Sequence, residues 1–349
     1  MAEELQQTNV GLDESPEAVL KVDDLRTSFF VGKSEVKAVD GVSFEVPKGK
    51  TLGIVGESGS GKSITALSIL NLIEKPGEIK GGSIKYKGEE LVNAKISRMR
   101  KIRGNEISMI FQEPMTSLNP VYTIGDQLSE VIKIHQKFGP KKQKERAIEM
   151  LKLVGIPSPE KRMKQYPYEL SGGMRQRVMI AIALACKPEL LISDEPTTAL
   201  DVTIQAQILE LIKELQEEIG MSVIMITHDL GVVAETCDYV AVMYAGRVVE
   251  YADVYTLFEN PKHPYTVGLL NSLPRHDIEQ DELVPIKGNV PAPHEMPPGC
   301  KFAPRCPFAS DICKEMPELK KIDDGNDVRC WIYDERWDGE KGVKVYENK

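Results

Sequence analysis

Gly56-Glu57-Ser58-Gly59-Ser60-Gly61-Lys62-Ser63 is the stretch on which the reading of this chain turns. Its spacing is G-x-x-x-x-G-K-[ST], a loop whose backbone N–H groups point inward to cradle phosphates. Upstream, Thr51-Leu52-Gly53-Ile54-Val55 predicts a buried strand, and downstream Ile64-Thr65-Ala66-Leu67-Ser68-Ile69-Leu70 predicts a helix. A strand, a loop and a helix N-terminus in that order make an anion site. Ser58, Gly59, Ser60 and Gly61 form the cradle, with glycine where backbone must approach phosphate. Lys62 can reach the β- and γ-phosphates, and the Ser63 hydroxyl can ligate magnesium.

Outward from the loop, 349 residues suffice for a large core and about two domains. Hydrophobic residues at 41% and charged residues at 28% are ordinary for a globular protein, and a net charge of −9 argues against a general nucleic-acid binder. The longest apolar run, Val178 to Cys186, is far short of the ~20 residues a spanning helix needs. The first residues lack the basic and apolar segments of a signal peptide, so a cytoplasmic location is expected. Residues 1–19 are polar and acidic and predict a loosely ordered tail.

Leu20 to Val31 and Val42 to Val46 predict strands, and Phe29, at the end of the first, is either a core residue or a ring on which a nucleobase stacks. Gly81 to Gly88 predicts a hairpin, and Glu106 to Phe111 a strand that ends at the polar amide of Gln112. Val121 to Leu170 is helical and charged, an insertion between two halves of a nucleotide-binding sheet. Leu170-Ser171-Gly172-Gly173-Met174-Arg175-Gln176 follows, with Ser171 as N-cap of a helix through Cys186. Its free N–H groups at Gly172 and Gly173 make a second anion site, which one phosphate loop leaves unexplained. Leu190 to Pro196 predicts a strand carrying Asp194, suited to magnesium, and Glu195, suited to polarise water. Asp201 caps the next helix, and the buried strand Val223 to Thr227 delivers His228 at its end, where α/β sheets keep their chemistry.

With these motifs in this order, the chain resembles the ATP-binding cassette (ABC) ATPases over about residues 22–251. The resemblance implies an α/β fold of the phosphate-loop NTPase class: a mixed sheet, an antiparallel β subdomain and a helical subdomain at about 113–187, the whole ATPase spanning 20–260. It implies ATP and Mg2+ as ligands, with magnesium on Ser63, Asp194 and Gln112, Glu195 as base or water-positioner, and His228 on the γ-phosphate. Two such domains are expected to meet head to tail. Ser171, Gly172 and Gly173 of one then close over the ATP of the other, with Asp201 linking the two sites. The resemblance also favours Phe29 as the adenine-stacking ring, with Phe30 as its adjacent rival.

Phe111 to Pro120, His263-Pro264-Tyr265-Thr266 and Gly299 to Cys306 narrow the resemblance to the peptide and nickel importers. It implies a peripheral ATPase at the cytoplasmic face of the membrane, paired with a second ATPase subunit beneath two permeases and supplied with peptide by an external binding protein. Nickel import is the alternative substrate reading. An ABC ATPase acting on DNA or the ribosome is the alternative class, disfavoured by the short spacing from Ser63 to Ser171 and by the single cassette. Residues 261–349 are read as an extension, proline-rich to Pro298 and expected to be extended segments rather than another sheet. Its cysteines, Cys300, Cys306, Cys313 and Cys330, suit a tetrahedral zinc or an iron–sulfur cluster, or stay unligated. The importer resemblance favours a 4Fe-4S cluster, expected to be structural or sensory because it lies far along the chain from the hydrolytic motifs. Cys186 and Cys237 are read as packing residues.

Overall fold

A computed structural model describes residues 17–32, 34–112, 117–197, 201–272, 286–293, 295–322, 325–337 and 339. Most of the expected tail, part of the segment after Gln112 and the end of the extension lie outside the described residues.

Two sheets organise the chain. The larger has eight strands, in the order β11 (Lys320–Lys321), β12 (Asn326–Val328), β10 (Arg247–Asp253), β9 (Tyr239–Tyr244), β3 (Thr51–Val55), β8 (Ser222–Thr227), β7 (Leu190–Asp194) and β6 (Ile107–Ile110). The five from β9 to the edge strand β6 are parallel. These strands are apolar almost without interruption because both faces are covered. Alternate side chains serve two cores. Leu52, Ile54, Ile192, Ile224 and Ile226 enter one, while Val55, Leu191, Val223 and Met225 enter the other. Gly53 gives close approach on the second face, where a Cβ would stand 2.9 Å from Cys237 Sγ.

The first core is roofed by a four-stranded antiparallel sheet, ordered β2 (Ser34–Pro47), β1 (Ala18–Val31), β4 (Gly77–Tyr86) and β5 (Glu89–Glu90). Helix Lys62–Ile69 lies against this roof, its Ser68 Oγ 2.9 Å from Thr27 Oγ1. The second core receives helix Val202–Ile219 and the helical insertion. Within the insertion Thr123 and Asp126 form a capping box for Ile124–Gln136, Gly139-Pro140 opens Pro140–Leu153, and Gly155 at φ 70° stops it. Helix Gly172–Leu184 ends two residues before the predicted Cys186.

Two strands were absent from the sequence reading: β9 and its antiparallel neighbour β10 (Arg247–Asp253). The extension is also not simply extended chain. Its β12 (Asn326–Val328) pairs with β10, and β11 (Lys320–Lys321) with β12, so it lengthens the main sheet instead of forming another. A small separate cluster, Trp331, Ile332 and Trp337, packs with Cys313 and Cys330, whereas Cys300 and Cys306 pack on the main core.

Candidate functional site

The parallel strands carry their chemistry at their C-terminal ends, as expected of open α/β sheets. Beyond β3 the chain enters the glycine loop. Gly56 (φ 152°) and Gly61 (φ 100°) occupy backbone conformations that side chains rarely adopt. Space forbids a Cβ as well, which would meet Met243 O at 2.1 Å from Gly56 and Ala38 O at 2.4 Å from Gly61. A Cβ on Gly59 would instead face open space. Lys62 is buried, and its ammonium donates to Gly56 O at 2.7 Å and Glu57 O at 3.1 Å, curled over the loop. Burial lowers its pKa, opposed by the carboxylates of Glu195, Asp194 and Glu57.

Ser63 Oγ donates to Asp194 Oδ1 at 3.1 Å, so the hydroxyl and the carboxylate read as magnesium ligands lie side by side. Burial raises the Asp194 pKa, which a divalent cation would reverse. Mg2+ bound with a nucleotide needs only one or two protein carboxylates plus phosphate oxygens, and this pair fits that demand.

Glu195 follows Asp194 with φ 46°, strained for a residue with a Cβ, and its N–H is held by Ile226 O at 2.9 Å. Gln112 Nε2 donates to Glu195 Oε2 at 2.9 Å, and His228 Nδ1 lies 3.3 Å from Glu195 Oε1. Gln112, Glu195 and His228, 83 residues apart at the first interval, thus meet on one carboxylate. That carboxylate is largely buried while the imidazole is exposed.

The remaining predicted residues are placed as follows. Ser171 caps helix Gly172–Leu184, accepting from Met174 N at 3.4 Å, and Ser171 and Gly172 face solvent. A Cβ on Gly173 would stand 3.0 Å from Ile204 Cγ2, on the helix that Asp201 caps through Ile204 N at 3.0 Å. Phe29 is half-buried against Gly77, whereas Phe30 is exposed beneath Lys80 Nζ, 5.3 Å from its ring centroid. Cys186 and Cys237 are packed thiols, pushed up by burial to about 11 and about 12.

The cysteines of the extension gather in space: Cys330 senses the charges of Cys300, Cys306 and Cys313, and the Cys300 N–H donates to Cys313 O at 2.9 Å. Burial raises the pKa of Cys300 and pushes Cys306 up to about 12. A single zinc needs its four sulfurs about 3.8 Å apart, from Zn–S bonds of about 2.3 Å. Among the described residues no three His, Cys, Asp or Glu side chains are placed to hold a metal ion, so neither zinc nor the expected 4Fe-4S cluster has a formed site here.

Distance along the chain proves a poor guide to distance in space. Arg305, one residue before Cys306, forms a two-pronged ion pair with Glu57 of the glycine loop at 2.7 and 3.1 Å. Tyr265 Oη accepts from the Glu57 N–H at 2.9 Å. The sequence reading assigned neither residue a role. One signal was present: an acidic residue in a loop built for anions needs a cation to neutralise it.

Among the described residues no helix is long and apolar enough to cross a membrane. Comparison with known proteins places these features in context. Residues 39–198 match the model for "ABC transporter", and residues 249–313 match "Oligopeptide/dipeptide transporter, C-terminal region". The oligopeptide transport ATP-binding protein AppD of Bacillus subtilis (strain 168) is 56% identical over 91% of this chain and 97% of its own. OppD of Escherichia coli (strain K12), also an oligopeptide transport ATP-binding protein, is 50% identical over 90% and 93%. A dimeric, post-hydrolysis ATP-binding cassette, MJ0796 bound to ADP and Pi, superposes with TM-score 0.61 at 27% identity, covering 67% of this chain and 98% of that one.

Proposed function

The chain belongs to the ATP-binding cassette transporter family, and on that premise we propose that it is the ATPase subunit of an oligopeptide or dipeptide importer. The observation that carries the chemistry is the convergence of Gln112 and His228 on Glu195, beside the Ser63–Asp194 pair. In this reading ATP lies with its phosphates on residues 58–63 and its adenine on Phe29. Ser63, Asp194 and Gln112 would hold Mg2+, and the ion would supply charge neutralisation beside the phosphates. Lys62 leaves its loop carbonyls for those phosphates. Glu195 takes the proton of the attacking water, and the fork of Gln112 and His228 fixes the carboxylate for that task. Rate comes mainly from positioning and charge stabilisation.

The exposed Ser171 and Gly172 support a composite site. They are free to cover the γ-phosphate of a second ATPase subunit, with Gly173 behind them and Asp201 at the seam. That subunit is a related chain or a second copy. Residues 20–260 form the ATPase unit in this assignment, with the helical subdomain at about 113–187 and Gln112 passing closure to two permeases. Residues 261–349 are its importer-type extension, and an external protein delivers peptide. The tail is then the segment ahead of β1, shorter than the expected 1–19 because Ala18 and Val19 belong to that strand, and the subunit sits at the cytoplasmic face of the membrane. The named relatives favour peptide over nickel, and over action on DNA or ribosomes.

For the four thiols the importer resemblance favours a 4Fe-4S cluster over one zinc ion, four cysteines being the ligand set such a cluster takes. A second argument is mechanical. The cluster of Trp331, Ile332 and Trp337 is too small a core to hold itself, and a bond network from Cys313 and Cys330 to Cys300 and Cys306 would staple it to the main core. The bound group would add redox capacity, while these residues supply ligands and exclude water.

Copurification with the two permeases and reconstitution into vesicles test the function. ATP hydrolysis should rise several-fold when peptide and the binding protein are added outside. Hydrolysis that ignores peptide but rises with nickel would replace the substrate assignment.

A further inference from the structure

Glu57 is an awkward residue. It places a carboxylate in a loop whose task is to hold a polyanion, and its main-chain oxygen accepts from the ammonium of Lys62 at 3.1 Å. Three contacts fix it from outside the loop: Tyr265 Oη on its N–H, and Arg305 Nη1 and Nη2 on its carboxylate. The Arg305 side chain is 4% exposed, against 30% for Glu57. Arg305 is itself pinned. Its Nε donates to Lys287 O at 3.1 Å, its Nη2 to Ile286 O at 3.4 Å, and its guanidinium carbon lies 5.8 and 6.0 Å from the ring centroids of Tyr244 and Phe302.

The geometry is a rigid lever with one end at the cysteines and the other at the phosphates. Phe302 touches Tyr244 and Tyr265 with centroids 5.3 and 5.4 Å away, so the three rings brace the tyrosine hydroxyl that holds Glu57. A planar, permanently charged fork suits the Glu57 carboxylate, since it neutralises and orients at once. We propose that Arg305 is a positioning residue of the nucleotide site: it cancels the Glu57 charge and fixes the entry of the phosphate loop, and thereby the starting point of Lys62. The inference rests on the ATP-binding assignment above and assigns that site a residue from outside the cassette motifs. Because Cys306 is the next residue, any group that fixes Cys306 also fixes Arg305.

The test is binding of a fluorescent methylanthraniloyl-ATP, with magnesium, to the full-length chain. Arg305→Gln leaves an unpaired carboxylate in the anion site, and its Kd should rise roughly tenfold, the scale of a close charge coupling. Adding Glu57→Gln to that variant removes the unpaired charge, and affinity should recover at least threefold. A purely structural loss would not be rescued by a second substitution. An Arg305→Gln chain that binds within twofold of wild type, or a double variant no better than the single, overturns the proposal. Where Arg305→Gln does not fold, Tyr265→Phe replaces it: it removes only the oxygen that accepts from the Glu57 N–H. A roughly threefold rise in Kd then supports the lever, and an unchanged Kd overturns it. A wild-type chain that fails to bind the nucleotide would instead count against the ATP-binding assignment itself.

Discussion

Two helix N-termini in this molecule offer N–H groups to an anion, and they differ in how finished they are. At Lys62 the loop is walled by Met243 O and Ala38 O, crossed by the lysine itself and clamped at Glu57 by Tyr265 and Arg305. At Ser171 the cap is exposed and, among the described residues, bonded locally, to Met174 N and Arg175 N. The first is a built cradle. The second has the means to bind an anion but, among the described residues, no wall in front of Ser171 and Gly172, which is what a site looks like when another subunit completes it. The difference teaches that binding and turnover should separate: the cradle governs affinity in one chain, while the open end governs hydrolysis only in a pair.

The strongest way to break that separation is Glu195→Gln. The amide keeps size and hydrogen bonding to Gln112 but cannot accept the proton of water. Hydrolysis in the reconstituted importer should fall at least about a hundredfold, with ATP binding within about threefold of wild type. Near-normal turnover would remove Glu195 from the role of base.

Ser171→Arg sharpens the comparison from the other end. A bulky cation at the open cap should cost turnover roughly a hundredfold, on the scale of a lost transition-state donor. ATP affinity of the isolated chain should not move by more than about twofold. A large affinity loss in the isolated chain would mean that Ser171 belongs to its own chain's cradle.

Glycine substitutions convert the contrast into stability. Gly56→Ala forces a Cβ to within 2.1 Å of Met243 O at φ 152°, and that wall is backbone, not a flexible side-chain tip. Urea unfolding should report a loss of about 3 kcal/mol. Gly173→Ala gains helix propensity of about 1 kcal/mol and meets the Ile204 side chain, with Cγ2 nearest at 3.0 Å. It should fall within about 1 kcal/mol of wild type. Equal losses at the two positions would contradict a closed cradle and an open cap.

These contrasts also mark how far the sequence could be read. The strands β3, β6, β7 and β8 were legible because each is a short, largely apolar run leading into a polar or glycine-rich segment, and the residues just beyond those runs do assemble. Local rules were also enough for the caps at Ser171 and Asp201. What stayed hidden was non-local. Tyr265 and Arg305 reach Glu57 across 208 and 248 residues, and no periodicity encodes such a contact. The pairing of β10 with β12 is of the same kind, and three residues of β12 carry no strand pattern of their own. The left-handed backbone of Glu195 was invisible too, since nothing in an Asp-Glu-Pro sequence announces a positive φ.

The smallest effect concerns what holds the cradle from behind. His263 is 1% exposed, caps helix Pro264–Asn271 by accepting from Tyr265 N at 3.0 Å, and so sets the tyrosine that grips Glu57. Burial lowers its pKa from 6.5 to about 3. The native state therefore binds fewer protons than the unfolded state between these values, so stability falls as pH falls through that window. From pH 7 to pH 5 the imidazole should cost about 2 kcal/mol, at 1.36 kcal/mol per pH unit below 6.5. Neighbouring Glu250, whose pKa burial raises, works in the opposite direction and must be separated. His263→Asn keeps an acceptor for the Tyr265 N–H and does not titrate. The difference between wild type and this variant in the pH dependence of the urea midpoint isolates the imidazole. A parallel pair of curves would show that His263 is not the acid-sensitive support of the cradle, while a wild-type curve that alone drops below pH 6.5 would tie the closed end, and not the open one, to this buried ring.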